Sequence, residues 1–231
     1  MIRVYPFEEL GHADHGWVNA RYHFSFASYH NLDRMGFGAL RVWNDDTIQA
    51  GTGFDMHPHR DMEIITVLRK GAISHKDNKG NSGRTLAGNV QVMSAGSGIY
   101  HSEYNHEDED TQLYQIWIEP KEKGLAPRWD SYDLSKHVND VPLSPIVSGD
   151  GGAPLFINQD ADIYLGSLAP GEDYVQSIRH QVYAVVSSGD LLVGGHKVKA
   201  GDGVEITAQT EVLLSTSSHA ELVWVDVPAL V

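Results

Sequence analysis

Two short stretches of the chain carry groups able to hold a metal ion between them. His57-Pro58-His59 and His101-Ser102-Glu103 each place two metal-binding groups at i and i+2, and an extended chain sends alternate residues to the same face. Side by side, two such segments would aim three imidazoles and one carboxylate into one space. That set suits a divalent first-row metal such as iron, manganese, nickel, copper, cobalt or zinc. On an ion that accepts six ligands it leaves up to two positions open, as a substrate oxygen and O2 would need. On tetrahedral zinc the same four ligands would close a structural site. The chain holds 13 histidines, so one HxH pair can arise by chance, and the frame around it has to carry the reading.

That frame is regular. Gly51 precedes His57 by six residues, Glu63 follows His59 by four, and Gly71 closes an apolar run over 64–68. The later segment runs Gly88, Gly96, Gly98, His101 and then Asn105, and glycines so placed allow the positive backbone angles of tight turns between short strands. This order resembles the two signature motifs of the cupin superfamily, small β-barrels that hold a metal on inward-facing strand residues. The second motif departs from the general pattern, with Ser94 at the family's proline position and two extra residues before His101. The words HPHRDMEI (57–64), QVMSAGSGIYHSEYN (91–105), HGW (15–17), HFSF (23–26) and MGFGALRVWNDD (35–46) resemble the pirin family of two-domain cupins, over most of residues 11–119.

The resemblance implies one divalent transition metal, Fe(II) first, with Zn, Mn, Ni, Cu or Co as alternatives, on His57, His59, His101 and Glu103. Glu63 matches the usual cupin glutamate ligand, yet the pirin pattern gives the carboxylate role to Glu103 and leaves Glu63 outside the ligand set. Bacterial pirins look like quercetin 2,3-dioxygenases, which open a flavonol with O2 and release carbon monoxide. On that expectation the substrate is small and aromatic, and Glu103 takes the hydroxyl proton, with Glu63 as the second choice of base. Phe24, Phe26, Phe37, Met56, Met93 and Tyr100 are the expected pocket residues, one or two of them touching substrate and the rest filling core. Animal pirins look like iron-dependent regulators, which makes a redox-sensing protein with a protein partner the alternative. A cupin-type sugar isomerase or epimerase fits the barrel but not the pirin words.

Composition narrows the field further. The 231 residues suffice for one large or two small domains. No apolar run approaches bilayer length, and the first residues lack a signal peptide's apolar stretch, so the expected location is the cytoplasm. Cysteine is absent, which removes disulfides, thiolate ligands, iron–sulfur clusters and cysteine nucleophiles. Seventeen basic against 31 acidic residues give −14, a charge that repels a phosphate backbone. There is no Walker-type phosphate loop, dinucleotide fingerprint or nucleophile elbow.

Along the chain, His12, His15, His23 and His30 lie among aromatics at spacings that share no regular face, and read as packing residues of a lid or edge. A short strand is expected over 38–43, a turn at Asn44-Asp45-Asp46, a strand over 64–68, a hairpin turn over 77–81 and its return strand over 90–93. His75 and His106 read as exposed or hydrogen-bonded rather than ligating. Residues 112–118 alternate, with Tyr114, Ile116 and Ile118 on one face. The Lys-, Pro-, Gly- and Asp-rich region 119–154 reads as the connection between domains. Short β-type runs then return over 163–168, 182–186, 204–206, 211–214 and 222–227.

No segment has sustained helical periodicity, so the expected fold is all-β: a tandem cupin of two small barrels, residues 1–130 and 131–231, with the metal site in the first only. A weak repeat supports this. Val67-Leu68-Arg69-Lys70-Gly71 resembles Val185-Val186-Ser187-Ser188-Gly189 at an offset of 118, and Ala87-Gly88-Asn89 resembles Ala200-Gly201-Asp202 at 113. Shifted by these offsets, the four candidate ligands fall on Val175, Ser177, Leu214 and Thr216, none of them a good ligand. His180, His196 and His219 read as surface residues.

Overall fold

The computed structural model describes residues 1–136 and 141–230. Among them are 22 strands, three 3-10 turns of three residues each and no α-helix. No helix among the described residues is long and apolar enough to cross a membrane.

The strands form two seven-stranded and two four-stranded sheets. The first large sheet runs Arg128–Tyr132, Val90–Ser94, Glu63–Lys70, Thr111–Ile118, Leu40–Ile48, Val18–Tyr22 and Gly11–Asp14 in spatial order. The second runs Ile2–Tyr5, Gly203–Ile206, Gln181–Ser188, Ala220–Val227, Asp162–Leu168, Leu143–Ser148 and Leu155–Phe156. Each pairs with a small sheet to make a barrel, giving the tandem cupin architecture that the sequence suggests.

The largest core lies between the two large sheets. Trp43, Ile65, Val92, Tyr114 and Ile116 of the first meet Ile163, Tyr183, Val185, Val223 and Val225 of the second. Alternation decides which residues go there: in Glu63–Lys70, Ile65 and Val67 enter this core while Ile64 and Leu68 turn into the first barrel. Strands buried on both faces read as continuous apolar runs, as 64–68 does. Each large aliphatic side chain buried in this way contributes roughly 1.5–3 kcal/mol.

The repeat has a physical basis. Gly71 and Gly189 end equivalent central strands, each with φ of 74°. A Cβ on Gly71 would come within 2.5 Å of Thr111 Oγ1, and one on Gly189 within 2.2 Å of the His219 carbonyl oxygen. Only glycine meets both demands at either corner.

Three local expectations are corrected. Asn44-Asp45-Asp46 is no turn but the middle of Leu40–Ile48, paired on both sides. Asp45 is neutralised by an ion pair with Arg69, which reaches across the intervening strand Thr111–Ile118 from Glu63–Lys70, so tertiary pairing overrides turn propensity. The return strand of the 77–81 hairpin is Ser82–Leu86, while Val90–Ser94 crosses to the large sheet. The 119–154 region carries the strands Arg128–Tyr132 and Leu143–Ser148 as well as loop; its residues 137–140 lie outside the described residues. Pairing also places Ile2–Tyr5 at the edge of the second large sheet, against Gly203–Ile206.

Candidate metal centre

The strands Gly53–His59 and Ile99–Tyr104 are antiparallel neighbours in the small sheet of the first barrel, with Ile99 opposite His59 and His101 opposite His57. The register then shifts, so that Glu103 faces Phe54. Two residues, Asp55 and Met56, oppose Ser102 there, and a bulge of this kind re-aims the side chains on either side of it. Gly53 is needed at this point, since a Cβ would lie 2.3 Å from the Glu103 carbonyl oxygen.

The three histidines converge. Ring centroids of His57 and His101 lie 4.4 Å apart, His57 and His59 4.8 Å, and His59 and His101 4.9 Å. One nitrogen from each falls within 4.8 Å of the others. Glu103 belongs to an adjoining group with His101 and His75, whose donor atoms also lie within 4.8 Å of one another. Its carboxylate is held from behind: Gln91 donates to Oε1 at 2.8 Å and Gln115 to Oε2 at 2.8 Å, with the Thr66 hydroxyl at 3.4 Å from Oε1.

These residues fit a bound cation. His59 Nε2 and His101 Nε2 are buried with no hydrogen-bond partner, a situation that costs about 1–3 kcal/mol per atom unless something satisfies it. His57 Nδ1 lies 2.6 Å from the Asp55 carbonyl, so it carries the proton and Nε2 keeps a lone pair. Burial, reinforced by the neighbouring imidazoles, pushes His101 down to about 3 and His59 to about 4. Both rings are therefore neutral at pH 7, the form a metal requires.

His57 and His59 also line a cavity of about 440 Å³. Its walls are aromatic: Trp117 packs edge-on against His59 at 4.9 Å and against Phe26 at 5.4 Å, and Trp17 against Phe54 at 4.9 Å. Besides the two histidines its polar lining residues are His15, Asn44, Asp46 and Gln115. Burial, with the charges of Asp45 and Glu103, raises Asp46 to about 8, so at neutral pH it offers the cavity a hydroxyl donor.

Of the pocket residues expected from sequence, Phe26 lines this cavity. Phe24 and Phe37 sit in the core between the sheets, Met93 packs in a small cluster with Ile64 and Ile99, and Met56 and Tyr100 are about half exposed, at 49% and 51%. Sequence reasoning missed Trp17, Tyr22, Phe54 and Trp117. The signal for Trp117 was present, because it and Gln115 occupy the face of 112–118 opposite Tyr114, Ile116 and Ile118.

Glu63 is not brought to the histidines. It shares the alternate face of Ile65 and Val67, toward the second barrel, and accepts a hydrogen bond from the Ser94 hydroxyl. Burial pushes its carboxyl up, against the Ser94 hydrogen bond. The serine that stands at the cupin proline position thus has a partner that proline could not serve. His75 is hydrogen-bonded, as expected, yet buried rather than exposed. His106 is exposed and stacks on Tyr104. His23 is buried between the barrels, 2.8 Å from the Tyr183 hydroxyl, while His12, His15 and His30 are exposed.

Comparison with known proteins agrees with this geometry. Residues 4–118 match the pirin family, and residues 145–227 match the quercetinase C-terminal cupin domain. A pirin-like protein of Caulobacter vibrioides is 49% identical, covering 98% of this chain and 99% of its own. A quercetin 2,3-dioxygenase of Escherichia coli K12 is 40% identical, covering 99% of each. The crystal structure of a bacterial pirin from Escherichia coli in complex with nickel(II) superposes with a TM-score of 0.93 at 39% identity, covering 100% of both chains.

Proposed function

Since the chain belongs to the pirin family of two-domain cupins, we propose that it is a metal-dependent dioxygenase that opens a flavonol such as quercetin with O2 and releases carbon monoxide. The observation that carries this reading is the meeting of two features: a cluster of three imidazoles in which His59 and His101 have buried Nε2 atoms without a partner, and an aromatic-walled cavity that His57 and His59 line. Its volume falls within the roughly 300–1,000 Å³ of small-molecule sites.

A divalent ion, Fe(II) first, on His57, His59, His101 and Glu103 would supply Lewis-acid activation of the flavonol 3-hydroxyl and a place for O2 beside it. Trp17, Phe54 and Trp117 give flat apolar walls that fit a fused aromatic ring and exclude water. Asp46, held protonated, donates a hydrogen bond to a substrate oxygen. Gln91 and Gln115 fix the Glu103 carboxylate, which takes the hydroxyl proton. Glu63, on the far face of its strand, has no part in the transfer.

The test incubates iron-loaded protein with quercetin in air. Loss of the flavonol absorption together with carbon monoxide release is expected, and His101→Ala and Glu103→Ala abolish both. If the loaded wild-type protein gives neither, the dioxygenase reading fails and the metal centre stands alone.

A further inference from the structure

Behind the candidate ligand His101 lies a chain of buried polar groups that the proposed chemistry does not use. His75 Nδ1 is 3.5 Å from His101 Nδ1, and His75 Nε2 is 3.1 Å from Asp77 Oδ2. The side chains of His75 and Asp77 are fully buried. Asp77 Oδ1 accepts the backbone N–H groups of Lys79 and Asn81, and Oδ2 accepts from Asn81 Nδ2. The His75 ring is fixed as well, stacked on Trp129 at 5.0 Å and 9°. Trp129 in turn fits there because Gly83 has no Cβ, which would fall 2.3 Å from the indole.

With one proton on each ring, only one arrangement satisfies every link. Asp77 already accepts from three donors, so it is an acceptor toward His75, and His75 Nε2 carries the hydrogen. His75 then has a bare Nδ1, which accepts from His101 Nδ1–H. His101 is left with a lone pair on Nε2, the buried atom that has no partner. The reverse direction would leave His75 Nε2 bare against a carboxylate and put a proton on His101 Nε2, where an ion is to sit.

We propose that Asp77 and His75 form a two-link hydrogen-bond relay that locks His101 in the metal-binding tautomer, with His75 acting as a positioning residue rather than a ligand. This rests on the reading of His101 as a ligand. Groups that orient a metal-bound histidine through its second nitrogen typically change metal affinity by about 10–100-fold when removed. The hairpin turn at 77–81 therefore serves two purposes: it reverses the chain, and it delivers the carboxylate that sets the tautomer two links away.

Long-range 1H–15N spectra of the full chain with 15N-labelled histidine, without metal and loaded with zinc, read this directly. His75 is expected as the Nε2–H tautomer in both states, and His101 as the Nδ1–H tautomer with a zinc-induced shift at Nε2. A His75 Nδ1 that is protonated, or that shifts on zinc binding as a ligand does, overturns the relay while leaving the metal centre intact. Absence of any zinc-induced shift at His57, His59 and His101 removes both readings.

In Asp77→Asn the amide faces His75 with a donor, so His75 is expected to flip to Nδ1–H and zinc affinity in chelator competition to fall about 10–100-fold. His75→Phe keeps the stack on Trp129 and gives the same loss of affinity. Unchanged affinity in both variants overturns the proposal. The melting temperature of the metal-free variants separates this effect from damage to the hairpin.

Discussion

In the second barrel the space between the large and small sheets is filled by Leu191, Val193, Val198, Leu214, Leu222 and Trp224. In the first, the apolar filling breaks into two small clusters, one around Ile48, Leu68 and Leu113 and the other around Ile64, Met93 and Ile99. Between them run Thr85, Gln91, Glu103 and Gln115, linked by hydrogen bonds, with the three histidines beyond. The same strand frame thus holds a packed core in one copy and a polar site in the other. A barrel of this size cannot hold both, because each imidazole or amide that enters displaces an aliphatic side chain. The first barrel offsets that loss through the core it shares with the second. The second barrel therefore stabilises the site without contributing any of the candidate ligands.

Four experiments probe the difference between the two barrels. His59→Ala and His101→Ala have the largest effect: each is expected to lose its ion on dialysis, read as metal per chain by elemental analysis. The metal-free fold should survive, since each change removes a buried nitrogen that lacks a partner. Trp224→Ala, in the packed barrel, should cost about 3–5 kcal/mol in denaturant unfolding, with metal content unchanged below the transition. If that variant loses its ion while folded, the division of labour is wrong.

The third prediction concerns the polar interior. Asp46 has its pKa raised to about 8 when folded and an ordinary value of 3.8 otherwise. Its contribution to stability is thus complete below 3.8 and is lost as pH rises toward 8. Metal-free Asp46→Asn should gain on the wild type by up to roughly 1 kcal/mol per pH unit across that window, and then plateau. A gain that is flat with pH would mean that Asp46 is solvated. The smallest effect is expected from Val175→His with Ser177→His, which rebuilds an HxH pair in the second barrel. Val175 is 52% exposed and Leu214 fills the interior nearby, so stability should move by less than about 0.5 kcal/mol and no second ion should bind.

The all-β tandem frame was legible because it depends on local rules: glycines where φ is positive, alternation over 112–118, and a repeat offset that leads from ligands to non-ligands. The HxH and HxE spacing was legible for the same reason, since a strand's period is fixed. What escaped depends on which strands pair. Asn44-Asp45-Asp46 looks like a turn until neighbours on both sides bind its backbone and Arg69 takes up the Asp45 charge. The apolar run 64–68 hides which of its faces enters the barrel, and hence where Glu63 points. Trp17 and Phe54 are far apart in sequence and become one wall only through tertiary contact. His75 looked like any hairpin histidine: Asp77 lies two residues on along its own strand, but His101 is brought to it only by strand register.

Crystals of the purified protein, measured at the absorption edge of the metal they contain, would locate the ion itself. One anomalous peak per chain is expected in the first barrel, at about 2.0–2.2 Å from the Nε2 atoms of His57, His59 and His101 and from a Glu103 oxygen, with coordination left open toward the aromatic cavity. A peak held by other residues, or a shell completed by protein atoms on all sides, would contradict this expectation.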